Sequence, residues 1–65
     1  MKISDNFKKI RAEKGYSLEK VARRADVSLN TVVKIEGGVN QNPTIDTLSK
    51  LAKALEVDVD DLIQK

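Results

Sequence analysis

Asn30 and Lys34 are the side chains whose types and spacing best suit the recognition of another molecule. They lie four residues apart, so on a helix they would project from the same face. Asn can hydrogen-bond the edge of adenine in the major groove of DNA, Lys can bond guanine, and an apolar side chain such as Val33 can touch a thymine methyl. This combination indicates base recognition, although single exposed valines are common on protein surfaces and Val33 alone decides nothing.

Residue types that the chain lacks exclude most other chemistry. There is no Cys and no His among the 65 residues, which excludes disulfides, thiol chemistry, Cys/His zinc sites and imidazole acid-base catalysis. Asp58, Asp60 and Asp61 could hold a metal ion or could cap a helix. Their segment lacks the glycine and the distal glutamate of an EF-hand loop, which favours the cap. We therefore expect no enzymatic activity, no cofactor and no metal.

A pair of short helices joined by a tight turn must position Asn30 and Lys34. Ser17 and Ser28 can each cap one of these helices, because a serine hydroxyl accepts a hydrogen bond from an unpaired backbone N–H. Two short helices that meet at a steep angle form a helix-turn-helix, which presents its second helix to the major groove. Each helix has apolar residues at three- and four-residue spacing on its inner face, namely Val21, Ala22 and Ala25 on the first and Val32 and Ile35 on the second.

The outward face of the second helix follows from its inner face. Because successive residues step by about 100° around a helix, burial of Val32 and Ile35 turns another set of side chains to the surface. The outward face comprises Asn30, Val33, Lys34 and Gly37, with Leu29 and Glu36 on its flanks.

Asp26 occupies the turn before this helix. A left-handed backbone there would favour Gly and would cost Asp about 1 kcal/mol.

Charge is distributed unevenly along the chain. From Met1 to Lys34 there are nine Lys and Arg against four Asp and Glu, and from Ile35 to Lys65 there are three against six. A basic half and an acidic half suit a domain that turns one side toward a polyanion. The same residues could instead be the solvated faces of two helices, so the charge pattern does not decide between these interpretations.

Three further helices complete an all-α prediction without any sheet. Ser4 can cap the first helix, and Gly15 can supply the left-handed residue that ends it. Thr44 can cap the fourth. The predicted helices lie near Asp5 to Lys14, Leu18 to Ala25, Leu29 to Gly37, Ile45 to Leu55 and Asp60 to Gln64. The predicted core is Phe7, Ile10, Val21, Ala22, Ala25, Val32, Ile35, Leu48, Leu51, Leu55 and Leu62, with Ile45 and Ala52 on the inner face of the fourth helix.

A loop is predicted between the third and fourth helices. The segment from Gly37 to Pro43 is rich in turn-forming residues and has no hydrophobic periodicity. Its amides, including those of Asn40 and Asn42, could pair with phosphates or could belong to an ordinary connection.

The length of the chain, 65 residues, suits a single domain, residues 1–65. No apolar run approaches the roughly 20 residues that span a bilayer. Met1-Lys2-Ile3 does not begin a signal peptide. We therefore expect a soluble, cytoplasmic protein with no membrane partner.

Short segments spread over almost the whole chain carry a family resemblance: Phe7-Lys8-Lys9-Ile10-Arg11, Lys14-Gly15, Ser17, Val21-Ala22, Val27-Ser28, Thr31-Val32, Lys34-Ile35-Glu36, Gly38, Asn42-Pro43-Thr44 and Leu51-Ala52-Lys53-Ala54-Leu55. Together they resemble the phage-repressor-like, or XRE-type, helix-turn-helix family. The resemblance implies a compact five-helix, lambda-repressor-like domain that binds operator sites on double-stranded DNA, usually as a homodimer on two half-sites. It also implies a partly buried ion pair between Arg11 and Glu36.

The resemblance also assigns base contacts by position, to Leu29, Asn30 and Lys34. Leu18 stands where the family often has a glutamine that reaches the DNA, and Asp26 stands where it often has glycine. We therefore expect DNA binding that is weaker or of different specificity. The candidate DNA-binding residues are Ser17, Leu18, Ser28, Leu29, Asn30, Thr31, Val33, Lys34, Asn40 and Asn42.

A second function is compatible with the same fold. The domain could be a protein-interaction module, antitoxin-like or a regulatory subunit, that has lost much of its DNA binding. Leu29 and Val33 favour this alternative slightly, because apolar side chains on an outward face also suit a protein partner. The primary prediction remains a sequence-specific DNA-binding transcriptional regulator.

Overall fold

The computed structural model describes residues 3–64, which form five α-helices. They are α1 (Ile3–Lys14), α2 (Leu18–Ala25), α3 (Leu29–Glu36), α4 (Ile45–Leu55) and α5 (Val59–Ile63). No strand occurs in residues 3–64, so the predicted all-α class is confirmed. None of the five helices is long and apolar enough to cross a membrane. The predicted domain limits of 1–65 include Met1, Lys2 and Lys65, which lie outside the described residues.

The first helix begins earlier than predicted. Ile3 belongs to α1 and is buried, so the expectation that Ser4 caps a helix starting near Asp5 is wrong. Ile3 and Phe7 lie four residues apart and therefore share the inner face of the helix. Burial of Ile3 favours the extension, because it removes another apolar side chain from water.

Three other boundaries, the end of α3 and both ends of α5, differ from the prediction by a single residue. The α3 helix ends at Glu36 rather than Gly37, because Gly38 adopts a left-handed φ of 80° and turns the chain away. The α5 helix spans Val59–Ile63 rather than Asp60–Gln64. It begins directly after its N-cap, Asp58, and it ends where Gln64 becomes extended.

Side chains cap the starts of α2 to α5 as predicted. The hydroxyls of Ser17, Ser28 and Thr44 each accept a hydrogen bond from the backbone N–H three residues further on, at 3.1–3.2 Å. Asp58 and Asp61 form a capping box on α5, in which the Asp58 N–H donates to Asp61 Oδ2 at 3.0 Å. The acidic cluster therefore serves a helix start, and no group of acidic side chains among residues 3–64 is arranged to hold a metal ion.

Four helices end in the same way, with a left-handed residue at Gly15, Asp26, Gly38 and Glu56. The φ angles are 72°, 57°, 80° and 62°. In each case the residue's N–H bonds the carbonyl three residues earlier, and the next N–H bonds the carbonyl five residues before it. This double closure is the Schellman motif. The left-handed conformation predicted for Asp26 is confirmed.

The core lies where the inner faces of the five helices meet. Ten of the eleven predicted core residues are buried, and the exception is Ile10, which is half-buried and packs against the core. The placement of Ile45 on the inner face was wrong: it is 70% exposed, because the first residue of α4 projects beyond its neighbours. Ala52 is buried as its position on α4 suggested. Ile3 and Ala54 are buried core residues that were not predicted.

Two polar side chains join helices that are distant in sequence. Asn6 Nδ2 donates to the carbonyl of Leu62 at 2.9 Å and also to that of Gln64. Arg24 Nε donates to the carbonyl of Ala54 at 3.2 Å. These carbonyls lie at the ends of α5 and α4, where helices have acceptors without intrahelical donors. Asn6 thus joins α1 to α5, and Arg24 joins α2 to α4.

Candidate nucleic-acid interface

The inner side of α3 determines which of its side chains face outward. Val32 and Ile35 are fully buried in the common core, and α3 packs against both α1 and α2. Ser28 fixes the start of the helix, since its hydroxyl accepts from the N–H of Thr31 at 3.1 Å. With the start and the inner side held, the rotation of α3 about its own axis is determined.

An ion pair fixes the other end of α3. Arg11 Nε donates to Glu36 Oε1 at 2.6 Å, and Arg11 Nη2 donates to Oε2 at 3.1 Å. The third nitrogen, Nη1, donates to the carbonyl of Tyr16 at 2.7 Å. The two side chains are only 20% and 16% exposed. The ion pair that the family resemblance implied is therefore present, and Arg11 ties α1 to both α3 and the α1–α2 turn.

The outward side of α3 carries the residues that we call the reading face: Leu29, Asn30, Val33 and Lys34. Asn30 and Lys34 are exposed, and their side chains make no hydrogen bond or ion pair with another residue of 3–64. Leu29 and Val33 are 43% and 45% exposed. The structure thus brings the predicted base-contacting residues together on one surface, with Gly37 exposed just beyond them.

The other candidates on the helix-turn-helix have structural roles at the helix starts. Ser17 is exposed, and its hydroxyl accepts from the N–H of Lys20 at 3.1 Å. Ser28 Oγ and Thr31 Oγ1 lie 2.8 Å apart, so one of the two hydroxyls donates a hydrogen bond to the other. Leu18 is half-buried and packs against the core. Ser17 and Ser28 are exposed, so their hydroxyls can also contact another molecule.

The loop candidates Asn40 and Asn42 form a local turn after α3. The N–H groups of Val39 and Asn40 both donate to the carbonyl of Lys34, at 2.9 and 3.0 Å. Asn40 Oδ1 accepts from the N–H of Asn42 at 3.2 Å. Their backbone donors are therefore occupied within the chain. What they offer another molecule is the side-chain NH₂ of each, which makes no hydrogen bond within residues 3–64.

The basic side chains separate into two groups. Several act within the fold: besides Arg11 and Arg24, Lys14 pairs with Glu56 at 3.9 Å, and Lys20 Nζ lies 4.6 Å from the centroid of the Tyr16 ring. The other Lys and Arg side chains of residues 3–34 face solvent and form no ion pair with residues 3–64; they are Lys8, Lys9, Arg23 and Lys34. Sequence spacing gave no signal for the bond of Arg24 to α4, because the partner lies 30 residues away.

Comparisons with known proteins agree with this geometry. A model of the helix-turn-helix family matches residues 7–62. In sequence, the chain is similar to the HTH-type transcriptional regulator SinR of Bacillus subtilis (strain 168), with 36% identity over 63 residues that cover 97% of this chain and 57% of SinR. In structure, it is similar to the crystal structure of SinR, the master regulator for biofilm formation, in complex with DNA.

That structural match has a TM-score of 0.90 at 37% sequence identity, and it covers 95% of this chain and 98% of the SinR chain. The chain is also similar to the structure of a SinR protein/SinI protein complex, with a TM-score of 0.91 at 36% identity over 97% of this chain and 61% of that chain. The chain spans little more than half the length of SinR itself.

The family match extends from Phe7 in α1 to Leu62 in α5, so it includes the whole of the reading face and part or all of every helix. The predicted family is therefore confirmed. The chain belongs to the helix-turn-helix family, of the XRE type, and is a homologue of HTH-type transcriptional regulators.

Proposed function

We propose that this chain is a sequence-specific DNA-binding transcriptional regulator that places α3 in the major groove of double-stranded DNA. The observation that carries the proposal is the reading face, where Asn30 and Lys34 are exposed and have no side-chain partner within residues 3–64. Their hydrogen-bonding capacity suits adenine and guanine edges. The similarity to SinR, which has been solved in complex with DNA, supports DNA binding by this fold.

Phosphate contacts would flank these base contacts. Ser17 and Ser28 lie at the starts of α2 and α3, where unpaired N–H groups and the helix dipole favour an anion. Lys8, Lys9 and Arg23 add exposed positive charge. Arg11 is not among these residues, because its guanidinium bonds Glu36 and the carbonyl of Tyr16 and only 20% of its side chain is exposed. Leu18 supplies packing in place of a polar contact, so we expect modest affinity.

A homodimer on two half-sites is the assembly that we propose. Half-sites of helix-turn-helix dimers lie about 34–36 Å apart along the duplex. The domain measures 26 × 21 × 19 Å between Cα atoms, so two copies on neighbouring half-sites would touch only at their edges. We therefore propose that dimerisation through this domain is weak in solution and is promoted by DNA. We further propose that the protein acts in the cytoplasm, where the chromosome lies, and that its function requires no cofactor and no catalytic step.

Selection of bound sequences from random duplexes tests the proposal. Asn30→Ala and Lys34→Ala should each weaken binding to the preferred duplex by about 1–3 kcal/mol, and binding to a random duplex by much less. Lys53→Ala is the matched control for Lys34→Ala, because Lys53 is exposed on α4 and lies outside the reading face. The binding constant K measured at several salt concentrations should show log K falling linearly with log[salt], with a slope of about −0.9 for each phosphate neutralised.

A protein-interaction module remains the second candidate. The half-exposed Leu29 and Val33 and the similarity to a SinR/SinI complex favour it. The two functions differ in a measurable way: if the wild-type domain shows no preference among duplexes at low salt, and Leu29→Ala or Val33→Ala releases a co-purifying protein, DNA reading is refuted in favour of a protein partner.

A further inference from the structure

We infer that Glu19 limits the affinity of the domain for DNA, because its carboxylate lies where the sugar–phosphate backbone passes the reading face. This inference rests on the proposed function and concerns the contacts beside the bases. Glu19 is exposed on α2, and its side chain forms no ion pair with another residue of 3–64. It is therefore an uncompensated negative charge on a protein whose proposed partner is a polyanion.

The charged side chains of α2 lie on two different sides of the helix. On one side, Lys20 Nζ and Arg24 Cζ lie 4.6 Å and 5.3 Å from the centroid of the Tyr16 ring, and Arg24 also bonds a carbonyl at the end of α4. Glu19 and Arg23 are four residues apart and so share the other side. Two of the three cations of α2 are thus on a different side of the helix from Glu19.

The side of α2 that carries Glu19 borders the reading face. Glu19 and Arg23 line one surface depression together with Ser17 and Leu29, and Leu29 is the first residue of α3. When a helix-turn-helix binds DNA, its second helix lies in the major groove while its first helix crosses the backbone. The depression between α2 and the start of α3 then faces a phosphate. One negative and one positive side chain meet that phosphate, so Glu19 offsets the attraction of Arg23.

A carboxylate in this position favours selectivity over affinity. Phosphates carry no sequence information, so repulsion from Glu19 weakens binding to every duplex by the same factor. Binding to random DNA depends almost entirely on phosphate contacts, and it has no other contribution to fall back on. The preferred duplex keeps the base contacts of Asn30 and Lys34. Glu19 therefore promotes release from random DNA at a cost in overall affinity.

The variants Glu19→Gln and Glu19→Lys test the inference. Dissociation constants for the preferred duplex and for a random duplex are measured by fluorescence anisotropy at low salt. Glu19→Gln should bind both duplexes about threefold more tightly and Glu19→Lys about tenfold, as expected for one and two units of charge about 6 Å from a phosphate in water. Both gains should shrink as salt is added. Glu19→Lys should also steepen the slope of log K against log[salt] by up to about 0.9.

Glu13→Lys is the matched control, because it makes the same change in net charge at another exposed glutamate. Glu13 lines a separate depression between α1 and α5 that includes no residue of the reading face. Its substitution should tighten binding by less than about twofold. Thermal melting of each variant separates binding from folding, since Glu19 lies in the first turn of α2, where a carboxylate also stabilises the helix through its dipole.

The possible failures are distinguishable. If both Glu19 variants bind every duplex as the wild type does, or if Glu13→Lys tightens binding as much as Glu19→Lys, the inference is overturned and the proposed function stands. If Glu19→Gln weakens binding only to duplexes with cytosine at one position, the carboxylate reads that base and the inference is also overturned. If the wild-type domain shows no preference among duplexes, both the proposed function and this inference fall.

Discussion

The Arg11–Glu36 pair offers the sharpest test of how the reading face is held in place. Arg11→Met removes three hydrogen bonds at once: two to the Glu36 carboxylate and the one to the Tyr16 carbonyl. It leaves the carboxylate without a partner at a site where only 16% of that side chain is exposed. Glu36→Gln is milder, because its amide oxygen can still accept from Arg11 and the bond to Tyr16 remains.

The magnitude follows from the degree of burial. Breaking a fully buried pair from one side costs about 3–5 kcal/mol, whereas an exposed pair contributes about 0.2–1 kcal/mol. With exposures of 20% and 16%, the pair lies nearer the buried limit, so we expect a loss of about 2–3 kcal/mol for Arg11→Met and about 1–2 kcal/mol for Glu36→Gln. A domain of this length has a total stability of roughly 3–10 kcal/mol, so either loss should be readily measured.

These losses are measured by urea denaturation, monitored through the far-UV circular dichroism signal of the helices. The double variant Arg11→Met/Glu36→Gln should lose less than the sum of the single losses, because the second substitution removes a charge that the first has already left without a partner. Changes below 0.5 kcal/mol in both single variants, or strict additivity in the double variant, would refute a coupled pair and with it this explanation of how α3 is anchored to α1.

Further predictions concern the core and the helix ends. Leu51→Ala should destabilise the domain by about 2–5 kcal/mol, because Leu51 is fully buried, whereas the matched aliphatic truncation Ile45→Ala should change stability by less than about 0.5 kcal/mol; similar urea midpoints for the two variants would contradict the assigned core. Asp26→Gly should stabilise the domain by roughly 1 kcal/mol, because glycine adopts the observed φ of 57° without strain. Glu56→Gly should gain less, since it also removes the pairing with Lys14, and a loss of stability in Asp26→Gly would show that the Asp26 carboxylate has a favourable contact.

The local features of this fold could be predicted from sequence because they depend on neighbours along the chain. A serine or threonine directly before a segment with apolar residues at helical spacing identified three helix starts. The burial of Val32 and Ile35 was enough to orient the reading face. The errors occurred where local signals compete. Ser4 is a good cap residue, but burial of Ile3 outweighs it, and Ile45 fits the apolar spacing of α4 although it is the first residue of the helix and lies beyond the packed surface.

Contacts between distant segments could not be predicted from spacing or composition. Asn6 and Leu62 are 56 residues apart, and Arg24 and Ala54 are 30 apart. Nothing in the pattern around either polar residue distinguishes it from an ordinary exposed side chain. The Arg11–Glu36 pair is different only because a family resemblance implied it. The reading face could be located from periodicity, whereas the contacts that hold the surrounding helices in place required the structure.

The hydrogen bonds from Asn6 to the end of α5 bear on which part of the domain unfolds first. The α5 helix has five residues, too few to persist alone because helix nucleation is unfavourable, so it depends on the burial of Leu62 and on Asn6. Its amide protons should therefore exchange with solvent through a local opening. The free energy of this opening should be well below that of global unfolding. Asn6→Ala should accelerate exchange in α5 and leave exchange in α3 unchanged. In that partially open form the domain would still present an intact surface to DNA.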